Sequence, residues 1–152
     1  MGIEAPEFFE ATEHHLRYRL SFNEGYSTGL FLDMRDNRHR LLSNLIEPGF
    51  PVFDKGTGAA KVLNTFAYTC SLSVCAARAG AITTSLDLSQ KYLEWGRENF
   101  RLNKLNPDDH DFIYGDTFDW MKRLAKRGEQ YDLVILDPPT LSRSKVSGLF
   151  QA

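Results

Sequence analysis

The chain has 152 residues and a mass of 17.3 kDa, room for one globular domain with a core of its own. A quarter of the residues are charged and the formal net charge is −2, unlike the strongly basic footprint of a general nucleic-acid-coating protein. No run approaches the ~18 apolar residues of a membrane span, and Met1-Gly2-Ile3-Glu4 opens without a basic region, so neither a spanning helix nor a secretory signal is expected.

Residues 1–14 read as a polar lead-in, with Glu4, Glu7, Glu10 and Glu13 and no Lys or Arg. Leu16, Tyr18, Leu20 and Phe22 then alternate with His15, Arg17, Arg19 and Ser21, the period-two pattern of a half-buried strand. Asn23-Glu24-Gly25 is a turn signal and Gly29-Leu30-Phe31-Leu32 supplies a return strand, which predicts a β-hairpin over residues 15–32. Asp33 to Asn44 reads as a helix capped by Asp33 and ended near Pro48-Gly49. These elements make an N-terminal segment of residues 1–46, followed by a Pro- and Gly-rich linker over residues 47–60.

Residues 61–152 alternate short apolar runs with helical stretches. The expected strands are 62–66, 81–86, 112–114 and 133–136; the expected helices are 71–79, 89–103 and 117–127, the last starting on Asp116 or Thr117. That alternation predicts an α/β fold, a parallel sheet with helices on both faces. The runs at 62–66 and 133–136 are apolar on both alternating faces, as in buried central strands. No further strand is visible after residue 136, so the expectation is a fragment of a longer chain, or a partner copy covering that edge.

Cys70 and Cys75 form neither a disulfide framework nor a zinc site, and the chain reads as a reduced, cytoplasmic protein with Cys75 in the core. Basic residues gather at Arg35, Arg38, His39 and Arg40, at Lys122, Arg123, Lys126 and Arg127, and at Arg143 and Lys145. Solvated faces explain them, and they permit an RNA substrate without demanding one.

Ligands of open α/β sheets bind beyond the carboxyl ends of the strands. There the sequence places Phe66-Ala67-Tyr68-Thr69-Cys70, Asp87, Asp116-Thr117 and Asp137-Pro138-Pro139-Thr140. Asp87 suits a ribose diol, or only a turn with Ser89; Asp116 suits an adenine amine, or only a helix cap. No G-x-G-x-x-G triplet follows the first strand, and no Gly lies between Gly58 and Gly80. A ligand with a ribose and no diphosphate fits better than a dinucleotide, which points to S-adenosylmethionine.

The stretch from Gly25 to Ser144 resembles the class I S-adenosylmethionine-dependent methyltransferases that modify bacterial large-subunit ribosomal RNA. The matching segments are Thr28–Arg35, Val62–Thr69, Asp87-Leu88-Ser89, Tyr92–Trp95, Glu98–Asn103 and Asp137–Thr140. The run Thr140–Lys145 looks most like the branch that methylates guanine at N7; a sister branch makes 5-methylcytosine. The resemblance implies a Rossmann-like sheet, of which these are the first four strands, and RNA as partner. It implies that Asn64, Phe66, Tyr68 and Thr69 lie under the methionine portion of the cofactor. Asp87 would hold the ribose, Leu88 pack on the adenine, and Asp116 with Thr117 meet the adenine edge. Asp33 and Arg35 would close over the cofactor, Arg35 pairing with its carboxylate. Asp137 with the carbonyl of Pro138 would face the target base.

Cys70 stands where the family usually has Gly, so its sulfur either crowds the methionine tail or obliges the loop to adjust. That departure and the missing distal strands support a competing reading, a non-catalytic relative that binds RNA or pairs with itself. A nicotinamide-dependent oxidoreductase fragment is disfavoured by the absent glycine triplet and by Asp137-Pro138-Pro139.

Overall fold

Two consecutive left-handed residues set the first turn. His14 and His15, with φ of 49° and 66°, reverse the chain in a two-residue loop whose twist suits the flanking strands. Strands β1 (Phe9–Glu13) and β2 (Leu16–Leu20) pair antiparallel around it, from Phe9 opposite Leu20 to Glu13 opposite Leu16. The N-terminal hairpin therefore forms with the stretch before the alternating run, not the one after it. Phe9, Ala11 and Glu13 share the more buried side of β1, so the period-two pattern extends into the lead-in, where the glutamates hide it. Residues 29–32 are no return strand. The backbone hydrogen bond of this stretch to the β2 side is from Ser21 N–H to the Thr28 carbonyl, 2.9 Å, and a 3-10 turn follows at Leu32–Met34.

The computed structural model describes residues 6–24, 27–54, 56, 58–139, 141–144 and 148–151, the last two groups as backbone. Gly25 of the expected turn, and Thr140 and Lys145 of the distal motif, lie outside the described residues.

Helix α1 (Arg35–Ser43) starts from Met34, without a side-chain cap, so Asp33 is not its cap. Asn44 ends it at a left-handed φ of 54°. The Asn44 side chain holds Phe53 from both sides: Nδ2 donates to the Phe53 carbonyl at 2.9 Å and Oδ1 accepts from the Phe53 N–H at 3.0 Å. The expected linker is thus tied back onto α1, with Phe53 buried.

Then follow β3 (Lys61–Thr65), α2 (Ser71–Arg78), β4 (Ile82–Asp87), α3 (Gln90–Leu102), β5 (Asp111–Tyr114), α4 (Thr117–Lys126) and β6 (Leu133–Leu136). Ser89 caps α3 by accepting from the Tyr92 N–H, and Asp116 caps α4 by accepting from the Asp119 N–H. The sheet is parallel in the order β5-β4-β3-β6. The chain leaves β3 toward β4 on one side and returns to β6 on the other. That reversal opens a crevice at the carboxyl end of β3.

Strand β2 docks on α3 through side chains that satisfy its outer backbone groups. Asn103 bonds the Arg17 N–H and carbonyl at 2.9 and 2.7 Å, Asn99 Oδ1 accepts from the Arg19 N–H at 2.9 Å, and Trp95 Nε1 donates to the Arg19 carbonyl at 2.8 Å. One core joins hairpin and sheet: Leu16, Tyr18 and Leu20 are buried together with Val62, Val74, Cys75 and Phe100.

The reading of residues 133–136 as a fully buried strand needs correction. Leu133 and Ile135 are half-buried, but Val134 and Leu136 are 47% and 60% exposed. Among the described residues β6 pairs only with β3, so one of its faces is uncovered. Residues 137–152 do contain strands: β7 (Leu141–Ser144) and β8 (Gly148–Gln151) pair with each other as a separate antiparallel ribbon. No helix among the described residues is long and apolar enough to cross a membrane.

Candidate cofactor site

The loop after β3 alternates into the left-handed region three times, with φ of 54° at Phe66, 48° at Tyr68 and 60° at Cys70. For residues other than glycine this costs about 1–3 kcal/mol each, and such strain persists where the surroundings over-determine it. Here they do. The Ala67 N–H donates to the Leu86 carbonyl at 3.0 Å, Cys70 N–H to the Ala67 carbonyl at 2.7 Å, and Asn99 Nδ2 to the Thr69 carbonyl at 2.9 Å. The Thr69 hydroxyl donates to the Gly29 carbonyl at 2.6 Å.

The left-handed φ at Cys70 explains why glycine suits this position. The sulfur is fully buried and its space is left by Gly96 on α3, where an added Cβ would fall on Cys70 Sγ within contact distance. It is therefore directed at α3, and Cys70 is not among the cavity's lining residues. Of the two consequences open for Cys70, a crowded methionine tail or an adjusted loop, this direction of the side chain favours the second.

At the end of β4, Asp87 Oδ2 accepts from the Tyr68 N–H and Oδ1 from the Ser89 N–H, both at 2.8 Å. Burial pushes its pKa up, and these backbone donors pull against that shift. The Leu88 N–H is a third backbone donor, and with about four lone-pair sites the carboxylate keeps acceptor capacity for a further one. Asn64 is buried below this crevice and its Nδ2 donates to Ser73 Oγ at 2.9 Å.

These residues open on one cavity of about 570 Å³. Of the twelve residues expected at the site, Asp33, Asn64, Phe66, Tyr68, Asp87, Leu88, Asp137 and Pro138 line it. Four do not. The Arg35 side chain is 64% exposed and reaches toward Glu13 at 4.0 Å. Thr69 is spent on the Gly29 carbonyl. Asp116 and Thr117 are buried at the start of α4, with Asp116 Oδ1 accepting from the Asp119 N–H at 3.0 Å. Asp116 is thus the helix cap that its sequence equally allowed, and Thr117 Oγ1 is a buried hydroxyl with no partner among the described residues.

Sequence reasoning missed Phe31, Tyr92 and Arg38 in the lining. The first two announce themselves only through packing, Tyr68 lying between Phe31 and Tyr92 at centroid distances of 5.1 and 4.5 Å. Arg38 contradicts its reading as part of a solvated basic cluster, because it is fully buried. Its Nε and Nη2 donate to the two Glu13 oxygens at 2.6 and 3.0 Å, and Nη1 donates to the Phe31 carbonyl at 2.7 Å. Burial works to raise the Glu13 pKa, but the Arg38 hydrogen bond and charge outweigh it, and the net shift is downward. Burial raises the Asp137 pKa, and the charge of Asp33 adds to the rise.

A parallel sheet with a half-buried carboxylate beside its switch point, and no glycine triplet for a diphosphate, has the form of an α/β site suited to a nucleoside. The profile of the S-adenosylmethionine-dependent methyltransferases matches residues 1–150, and the chain belongs to that family. It is 42% identical over 142 residues to the ribosomal RNA large subunit methyltransferase K/L of Psychrobacter cryohalolentis, covering 91% of this chain and 16% of that protein. To the protein of the same name from Legionella pneumophila it is 41% identical over 134 residues, covering 88% and 17%. The chain thus spans about a sixth of the length of these curated relatives. Among solved structures it resembles SMU.776, complexed with SAH, at a TM-score of 0.82 and 35% identity over 99% of this chain and 37% of that one. The S-adenosylmethionine-dependent methyltransferase of Agrobacterium tumefaciens gives a TM-score of 0.84 at 26% identity, over 98% and 45%.

The residues present fit S-adenosylmethionine. Asp87 retains acceptor capacity for a further donor, and the cavity it lines has the volume of a small-molecule site.

Proposed function

We propose that this chain is the cofactor-binding and base-facing part of a methyltransferase acting on large-subunit ribosomal RNA, with guanine N7 favoured over cytosine C5. The observation that carries the proposal is that Asp137-Pro138 and Asp87 line one cavity, so the cofactor's ribose and the target base are held within one site. The relatives' names supply the class of RNA. When bound, the cofactor supplies a sulfonium-borne methyl group as electrophile.

Guanine N7 carries a lone pair and needs no deprotonation before attack. The work left to the protein is in-line positioning and stabilisation of the positive charge that develops on the base. Asp137 stands at the end of β6 for that second task, and the Pro138 carbonyl adds an acceptor for a base amino group. The target base must be unpaired or extruded from its stack to enter. Cytosine C5 requires prior addition of a thiolate. Neither cysteine of this chain lines the cavity, and burial pushes the Cys70 and Cys75 thiols up to about 12 and about 11.

The test is transfer of labelled methyl from S-adenosylmethionine to protein-free large-subunit RNA. N7-methylguanine is read as borohydride–aniline cleavage and 5-methylcytosine as bisulfite resistance. Cleavage at a single guanine is the expected result; bisulfite resistance at a cytosine would overturn the choice of atom, and no transfer by a chain that binds S-adenosylhomocysteine would favour the non-catalytic reading. Asp137→Asn should lower transfer about tenfold or more while leaving cofactor affinity within twofold. For the wild type, ionised Asp137 is the active form, so transfer should fall as pH drops through a pKa above the ordinary 3.8.

A further inference from the structure

The 3-10 turn at Leu32–Met34 has a cavity on each side. Its bonds run from the Met34 N–H to the Phe31 carbonyl and from the Arg35 N–H to the Leu32 carbonyl. Residues three apart in such a turn lie on the same side. Phe31 and Met34 accordingly line the cofactor cavity, together with Asp33. Leu32 and Arg35 line a second groove, of about 490 Å³, against the N-terminal hairpin.

The floor of that groove is apolar, with Ala11 of β1, Leu20 of β2 and Leu30 among its lining, the two leucines buried. Its rim is exposed. Leu32 is 73% exposed, more than any other large apolar side chain among the described residues. The Arg35 side chain is 64% exposed, and Glu13, 4.0 Å from it, already gives both oxygens to Arg38. The turn is anchored on its inner side, where the Phe31 ring packs on Tyr68 and the Phe31 carbonyl accepts from Arg38.

Proteins that part stacked bases insert apolar side chains between neighbours, and an exposed leucine on an anchored crest has that form. A base extruded into the cofactor cavity leaves the next nucleotide of its strand on the far side of the parting side chain. An apolar floor with a largely exposed guanidinium at its rim complements an unpaired nucleotide, whose base offers apolar faces and whose phosphate is anionic.

Resting on the RNA methyltransferase reading above, we infer that the Leu32–Met34 turn parts two successive nucleotides of the substrate. The target base enters the cofactor cavity, and its neighbour lies in the hairpin groove. Leu32 fills the gap between them, and Arg35 holds the neighbour's phosphate. The hairpin is then part of the RNA site as well as a cover for α3.

The test uses the full 152-residue chain, S-adenosylhomocysteine and short single-stranded RNAs that carry one guanine. 2-Aminopurine, which fluoresces more when unstacked, stands on the 5′ side of the guanine in one RNA and on the 3′ side in another. At least one probe should brighten on binding and become shielded from acrylamide. Leu32→Ala should lower that rise by about half or more. Arg35→Gln should weaken RNA binding about twofold to fivefold, as for an exposed ion pair. It should also lower the slope of log affinity against log salt by about 0.7, the share of one single-strand phosphate. Neither side chain lines the cofactor cavity, so both variants should keep S-adenosylhomocysteine affinity within about twofold. Ile46→Ala, at an exposed residue outside both linings, should change none of these values.

Methylation of guanine with both probes silent would overturn the inference and leave the proposed function standing. So would a Leu32→Ala chain that behaves like Ile46→Ala, or an unchanged salt slope in Arg35→Gln. Loss of S-adenosylhomocysteine affinity in Arg35→Gln would overturn its place on the RNA. A dimer seen by sedimentation without RNA, and abolished by Leu32→Ala, would put a second copy in the groove instead. A chain that binds S-adenosylhomocysteine but no RNA would overturn both readings.

Discussion

The cavity has two walls, and they are built by different physics. The inner wall, which includes Asn64, Phe66, Tyr68 and Asp87, sits at the ends of adjacent parallel strands, and its loop is bonded to the sheet at Leu86 and Asp87. The outer wall, Phe31 to Met34, belongs to the N-terminal segment and exposes Phe31 at 48% and Leu32 at 73%. It hangs on the Thr69–Gly29 bond, the Tyr68 ring and the Arg38 guanidinium. The inner wall is specified by contacts that secondary structure makes unavoidable. The outer one depends on a pairing between residues 13 and 38 that no local rule imposes. Damage to one wall should therefore leave the other standing.

Arg38→Met should be the most damaging single change. It strands Glu13, whose side chain is only 12% exposed, and breaking a buried pair from one side costs about 3–5 kcal/mol. Denaturant titration should show that loss, and adding Glu13→Gln should recover most of it; no recovery would mean that packing, not charge, governs the outer wall. On the inner wall, Gly96→Ala should cost about 1–3 kcal/mol by overpacking against Cys70, and adding Cys70→Gly should restore it in a double-mutant cycle. Additive effects in that cycle would deny the contact.

Asp87→Ala separates affinity from stability. It frees the Tyr68 and Ser89 N–H groups but also removes a half-buried charge, so we expect a net change of about 1 kcal/mol or less and a loss of S-adenosylhomocysteine affinity of about tenfold or more. Unfolding instead would make Asp87 chiefly structural. The smallest effect is one of pH. The pKa of Glu13 is lower in the folded chain than its ordinary 4.5, so its contribution is present above that value and lost as pH falls through the folded pKa. Wild type should lose stability more steeply than Glu13→Gln on that acid limb.

The inner wall was legible in the sequence because it follows from strand–helix alternation. Strands at 62–66, 112–114 and 133–136 and the caps at Ser89 and Asp116 fall within a residue or two of where pattern and propensity put them. The outer wall was not, and the reasons are particular. The glutamates at 10 and 13 disguised β1 as a polar leader, though one of them is the partner of Arg38. Arg38 looked solvated among Arg35, His39 and Arg40 because helical spacing does not say which of four neighbours turns inward. Its burial requires Glu13, 25 residues away. A tighter clue was available in the paired histidines at 14 and 15, which supply a two-residue turn between alternating runs.

The three left-handed residues after β3 bear on the order of events in binding. A loop whose amides already end on Leu86, Asp87 and Ala67 has no folding left to do when a nucleoside arrives. Association with that half of the site should be a single bimolecular step whose observed rate climbs linearly with ligand concentration. Any slower unimolecular phase would then report the Phe31–Met34 segment settling over a ligand that is already seated, and residence time would be set by how often that segment lifts.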